Sequence, residues 1–206
     1  MNARGLAVHG AFEFNTTGFA DERGMFTTPL DDEAFRAAVG RPMFPVVQAC
    51  VSRSRRGVFR GVHYTAAPPG RAKYVWCANG RCYDLVIDVR VGSPTFGRHE
   101  VVLLDGGCSR AVYFPIGVGH AFLALEDDTV MSYLLSGTYV PERELALDPF
   151  DPALGLDLPA GADLLISERD RLAPTLAEAA RRGLLPLYAE CARAEQDLPG
   201  RTIAIP

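Results

Sequence analysis

Four polar residues stand within or at the edge of apolar, β-branched runs: Arg60, His63, Lys73 and Asp84. The runs are Val58 to His63, Tyr74 to Ala78 and Leu85 to Val91. A half-buried strand points alternate side chains at the protein interior. Two cations, an imidazole and a carboxylate are costly there unless they serve a ligand or one another. An imidazole titrates nearest neutral pH and suits a general base. A local basic cluster suits a small anionic ligand. Taken singly, Arg60 and Lys73 read first as solvated surface cations and His63 as a satisfied core histidine; the cluster speaks for a site. A metal centre would want an HxH pair on one strand with a carboxylate nearby. Here Thr65 stands two residues after His63, His120 is followed by Ala121-Phe122, and none of the four histidines is closely paired, so no metal is expected. The run GVGHAF lacks both the spacing and the strand-to-helix setting of a dinucleotide or phosphate loop. No cofactor is expected.

These residues need strands to position them. The three runs are bounded by Gly, Pro or Asn-Gly and read as consecutive antiparallel strands, with Asn79-Gly80 as the strongest hairpin signal. Residues 5 to 14 read as one edge strand, Phe19 to Gly24 as a turn, and Met25 to Pro29 as a short strand. Asp31 or Asp32 can cap a helix over Glu33 to Val39 that stops at Gly40. Pro42 to Ser54 reads as a strand with Val46, Gln48, Cys50 and Ser52 on one face. His99 to Leu104 and Arg110 to Phe114 follow as strands around the Asp105-Gly106-Gly107 turn. The loop from Pro115 to Gly119 delivers His120, and Ala121 to Leu125 with Val130 to Leu135 reads as a hairpin around Glu126-Asp127-Asp128. An irregular segment covers Glu142 to Pro159, followed by helices over Thr175 to Arg182 and Leu187 to Gln196. Many strands with few helices predict an all-β sandwich or jelly roll.

At 206 residues the chain reads as a single domain, with a β core over about 5–140 and a mainly irregular and helical segment over about 141–206. With 25 acidic and 21 basic residues, its net charge of −4 argues against a general nucleic-acid binder. No basic segment followed by an apolar core opens the chain, and no apolar run reaches membrane-spanning length. A cytoplasmic protein that binds neither nucleic acid nor membrane is expected. The five cysteines lack metal-type spacing and read as reduced thiols, with Cys50, Cys77 and Cys82 on strands.

The motifs RGVH at 60–63, Lys73, DVRVGSPTFG at 88–97, PIGVGHAF at 115–122, Tyr133, TYVPERE at 138–144 and SERD at 167–170 form a specific set. Together they resemble the dTDP-4-keto-6-deoxyhexose 3,5-epimerases, over most of residues 19 to 175. The wording of residues 73–97 and 117–133 is similar to the antibiotic-sugar branch, which includes the 5-epimerase of vancomycin-group biosynthesis. The resemblance implies a cupin-type jelly roll with short, mainly C-terminal helices, a homodimer, and a dTDP-linked 4-keto-6-deoxy sugar as substrate. It implies proton abstraction beside the C4 ketone and reprotonation from the opposite face. Exchange is expected at C5, and partial or absent exchange at C3. The non-catalytic alternative is a jelly roll that only holds a nucleotide sugar. A keto-sugar isomerase using the same enolate is the catalytic alternative.

Enolisation needs a base, charge stabilisation at the carbonyl oxygen and a proton source on the other face. His63 suits the base and Lys73 the enolate oxygen. Tyr133, whose phenol holds its proton at pH 7, suits the acid; core packing is the alternative for it. Asp170 matches the family's aspartate that orients the histidine; on its own it reads as an exposed loop carboxylate. Arg60 and Arg23 would bind the diphosphate, and Tyr139 and Phe26 would sandwich the thymine, one of them from a partner subunit. Phe19, Gln48 and Glu144 are placed with the substrate-binding residues. His120 can contact the substrate, orient a neighbour or serve structure. Three departures mark the chain: Cys50 for a usual Asn, Thr65 for a frequent Gln, and Thr27-Thr28 for a nearby Glu. All three border the sugar or nucleotide site in the family.

Overall fold

Residues 1–16, 18–107, 110–156 and 164–199 are described by the computed structural model. The strands are β1 (Asn2–Gly5), β2 (Phe12–Asn15), β3 (Phe19–Asp21), β4 (Gly24–Phe26), β5 (Gln48–Ser54), β6 (Phe59–Thr65) and β7 (Lys73–Asn79). They continue as β8 (Arg81–Ile87), β9 (His99–Asp105), β10 (Arg110–Phe114), β11 (Gly119–Ala124), β12 (Thr129–Leu135) and β13 (Glu144–Ala146). One antiparallel sheet has the order β1-β2-β10-β7-β12-β5, a second β13-β6-β11-β8-β9, and β3 with β4 forms a separate hairpin.

The inner faces of the two sheets share one core. Val75, Val112, Phe114 and Met131 from the first meet Cys82, Val86, Val102, Leu104 and Phe122 from the second. Each outer face is also covered. Helix α1 (Asp32–Val39) brings Phe35 against Phe14, Tyr74 and Tyr113, with Cys191 of α4 (Tyr188–Gln196) beside them. On the other side Phe59, Tyr64 and Leu123 pack on Leu147, Leu154, Ala179 and Leu185. A fully buried aromatic or aliphatic side chain contributes roughly 1.5–3 kcal/mol. Three such layers therefore hold the strands whose inner edge carries the polar residues.

Local signals read from the sequence match closely at several places. Asp31 caps α1 through its side chain, which accepts from the Ala34 amide, and Gly40 closes it. Thr175 and Glu178 form a capping box on α3 (Leu176–Arg181). The pairing of strands differs. Asn79-Gly80 does join two strands, but β7 belongs to the first sheet and β8 to the second. The segment around Glu126-Asp127-Asp128 likewise links β11 to β12 across the sandwich and is no hairpin. Turn chemistry reports local φ/ψ, whereas ladder partners are chosen by burial across the whole chain. Residues 5 to 14 form no single strand: β1 and β2 pair with each other, and only β1 is an edge. The turn expected at Phe19 to Gly24 is itself mostly paired, as β3 and β4. The strand expected from Pro42 begins only at Gln48. The run from Leu85 leaves the sheet after Ile87, where buried Asp88 accepts from Arg90, Ser93 and Thr95. The segment Glu142 to Pro159 holds two short 3-10 turns and β13; its residues 157–159 lie outside the described residues. Cys50, Cys77, Cys82 and Cys191 are free thiols, and Cys108 lies outside the described residues. Among the described residues no helix is long and apolar enough to cross a membrane.

Candidate active site

Strand β6 brings Arg60 and His63 to the inner face of the second sheet. Their spacing of three would normally put them on opposite faces. The ladder with β11 pairs His120 with His63 but Phe122 with Arg60, so β6 carries one extra residue there. This bulge turns both side chains inward. Gly61 makes it possible: its φ is +124°, and a Cβ there would lie 2.5 Å from the Ala121 Cβ and 2.6 Å from the His120 carbonyl oxygen. The glycine of RGVH is thus required by backbone conformation and by close approach.

Inner positions of the neighbouring strands complete a cleft of about 350 Å³. Arg60, His63, His120 and Phe122 come from the second sheet, and Glu144 from its edge strand β13. Lys73, Tyr133, Leu135, Gln48 and Cys50 come from the first, and Tyr139, Arg71 and Arg169 close the rim. His63 and Tyr133 therefore face the same space from opposite sheets.

His63 Nε2 lies 2.6 Å from Asp170 Oδ1. Asp170 sits in a one-turn helix, α2 (Glu168–Arg171), whose N-cap Ser167 accepts from the Asp170 amide through its side chain. It is buried rather than an exposed loop carboxylate. Burial pushes its carboxyl up, but the hydrogen bonds and charge of His63, with help from Ser167 and Gly61, hold it below its ordinary value. An ionised Asp170 fixes the imidazole proton on Nε2 and leaves Nδ1 with the lone pair, able to accept a proton.

Lys73 is buried, and its ammonium makes no hydrogen bond or ion pair among the described residues. Burial, then the charge of Arg71, lowers its pKa to about 8, against the opposing carboxylates of Glu144 and Asp84. It is charged at neutral pH and awaits an anion. Tyr133 is held protonated by burial, and among the described residues its hydroxyl reaches only Ser52 Oγ, at 3.4 Å. His120 bonds Asp84 Oδ1 at 2.5 Å and packs 4.5 Å from the Phe114 ring. Burial is the first cause that lowers its pKa; Asp84 opposes, and Lys73 and His63 add to the lowering. A neutral His120 would position neighbours rather than carry charge. Among the described residues no group of three or more His, Cys, Asp or Glu is placed to hold a metal ion.

The cleft gathers His63, Lys73, Tyr133, Arg60, Gln48, His120, Tyr139 and Glu144, with Asp170 behind His63. Gln48 is turned inward, where its Oε1 accepts from the Tyr139 amide at 2.7 Å. Phe19, Arg23 and Phe26 are not among the cleft residues. They ride on the β3–β4 hairpin, where Arg23 pairs with Asp21 and both aromatics are exposed. Arg71 and Arg169 were not evident from the sequence. The spacing of Arg71, two before Lys73 on the same side, was the available signal.

The model of the family described as dTDP-4-dehydrorhamnose 3,5-epimerase matches residues 5–178. The chain belongs to this epimerase family. It is 48% identical over 183 residues to a dTDP-4-dehydro-6-deoxyglucose 3-epimerase of a Streptomyces species, covering 89% of this chain and 93% of the relative. It is 46% identical over 191 residues to the dTDP-4-dehydrorhamnose 3,5-epimerase of Mycolicibacterium smegmatis, covering 93% and 94%. A crystal structure of ChmJ, a 3'-monoepimerase from Streptomyces bikiniensis in complex with dTDP-quinovose, superposes with a TM-score of 0.88 at 46% identity. It covers 94% of this chain and 97% of that one. As an epimerase this protein is an isomerase on the cupin-type jelly roll of its family.

Proposed function

We infer that this epimerase acts without a cofactor on a dTDP-linked 4-keto-6-deoxyhexose, taking a proton from carbon beside the C4 ketone and returning one from the other face. The observation that carries the reading is the placement of His63 and Tyr133 on opposite sheets across one cleft, with Lys73 on β7 of the first sheet and its ammonium unpaired among the described residues. His63, oriented by Asp170, removes the proton; Lys73 stabilises the enolate oxygen; Tyr133 reprotonates the carbon. The sequence resemblance put C5 first, whereas relatives named for C3, or for both carbons, bring C3 forward. Both carbons flank one carbonyl, so one base can serve either.

Incubation with dTDP-4-keto-6-deoxyglucose and its congeners in D2O is expected to place deuterium at C3, at C5 or at both, read by NMR. The rate should hold near neutral pH and decline as pH rises through about 8, where the Lys73 ammonium loses its proton. No exchange at either carbon with a range of such sugars would sink the reading. Nucleotide binding without exchange would leave only a binding jelly roll, and oxygen-protonated products an isomerase.

A homodimer belongs to the same proposal. Phe19, Met25 and Phe26 are 67%, 44% and 71% exposed on a hairpin outside both sheets. That hairpin carries the expected nucleotide-binding residues Phe19, Arg23 and Phe26, which fits completion of the cleft by a second copy. Sedimentation should show two chains at micromolar concentration; a monomer there would count against the arrangement. Free thiols fit a reducing cytoplasm.

A further inference from the structure

Arg71 stands two residues before Lys73, at the rim of the cleft, and only 8% of it is exposed. Its Nη2 donates to Glu144 Oε1 at 2.6 Å, and its Nε donates to Thr65 Oγ1 at 3.4 Å. The guanidinium carbon lies 5.8 Å from the centroid of the Tyr139 ring. The stem runs over Gly137, where a Cβ would come within 3.2 Å of the Arg71 Cγ. Glycine at 137 thus leaves the room that this side chain occupies.

The group is held from three sides, yet it is not satisfied. Nη1 is buried and has no hydrogen-bond partner among the described residues. A guanidinium keeps its charge and its five donors at any physiological pH. A buried donor without an acceptor is destabilising, and native structures rarely leave one so. The Lys73 ammonium nearby also lacks a partner among the described residues, and of the two carboxylates that act on it Asp84 is bonded to His120 and Glu144 to Arg71. This end of the cleft is short of acceptor oxygens.

We propose that Arg71 is a substrate-binding residue, whose Nη1 edge donates to an acceptor oxygen of the bound sugar diphosphate, with Glu144 and Gly137 holding it in place. The inference rests on reading the cleft as a nucleotide-sugar site. Either a sugar oxygen or a diphosphate oxygen would satisfy the donor, and two ligands separate them.

The test measures binding of dTDP and of dTDP-glucose by calorimetry to wild type, Arg71→Gln and Arg71→Lys, with thermal unfolding as the check on folding. Arg71→Gln removes the charge and is expected to weaken binding about tenfold or more, the effect of losing a charge-assisted hydrogen bond. Arg71→Lys retains a cation for Glu144 but not the planar fork, and should recover only part of the loss. Weakening of both ligands assigns the contact to the diphosphate; weakening of dTDP-glucose alone assigns it to the sugar. If Arg71→Gln fails to fold, Arg71→Lys decides. A folded Arg71→Lys that binds both ligands as wild type does overturns the proposal, because pairing with Glu144 would then be the whole role of Arg71. A wild-type protein that binds neither ligand overturns the reading of the cleft itself.

Discussion

Replacing His63 by alanine is expected to abolish deuterium uptake at both carbons beside the ketone. Of the two imidazoles that line the cleft, His63 has its Nε2 tied to Asp170 at 2.6 Å, and its Nδ1 makes no hydrogen bond among the described residues. The neighbouring imidazole, His120, is engaged with Asp84 and lowered in pKa by burial, so it is a poor substitute. A positioned general base contributes about 10²–10⁴-fold. Exchange should therefore fall by at least that much, and equally at C3 and C5. Alanine leaves the buried Asp170 carboxylate without its partner, so His63→Asn, which can still donate toward it, is the companion variant. Both should bind dTDP like wild type. Loss at one carbon only would mean that a second base serves the other, and the single-base mechanism would be wrong.

Tyr133→Phe should separate two events that the wild-type enzyme couples. The phenol is partly buried, held protonated, and bonded only weakly to Ser52. Removing its hydroxyl takes away the proton donor of the first sheet and leaves the His63–Asp170 pair of the second intact. Proton washout on the His63 face should persist, while completed inversion drops by roughly 10²-fold or more. Following deuterium content and product configuration in the same sample reads both rates. Equal loss of washout and inversion would remove Tyr133 from the role of acid. The fold should tolerate the change, since the ring keeps its contact with His120, 5.9 Å away between centroids.

Much of the site could be read from residue types, and the reasons for the remainder are physical. RGVH announced a glycine beside a cation and an imidazole in an apolar run. That Arg60 and His63 share a face could not be read off a period of two, because the bulge at Gly61 shifts the register. Lys73 was visible as a cation beside an apolar strand; its lack of a partner is a property of packing. Asp170 looked like a surface carboxylate because its partner lies 107 residues away. The same limit explains the strand order. Asn-Gly encodes a tight turn, yet nothing local says that β7 and β8 go to different sheets. Arg71 shows a third kind of limit. Its charge was legible, but the unused Nη1 edge emerges only when Glu144, Thr65 and Tyr139 surround it.

The long separations in the sheets also bear on how the chain comes to be made. β2 pairs with β10, β5 with β12 and β6 with β11 and β13, so most ladders close a large loop, and only β1–β2, β3–β4 and β8–β9 join consecutive strands among the described residues. Such topologies fold slowly, because the entropy of loop closure must be met before the contacts that reward it form. On a ribosome adding about 5–20 residues per second, His63 waits roughly 5–20 s for Asp170 to be synthesised. The nascent chain therefore carries its imidazole unoriented until most of the polypeptide has emerged. Catalytic competence arrives late and all at once, as a property of the finished protein rather than of any segment.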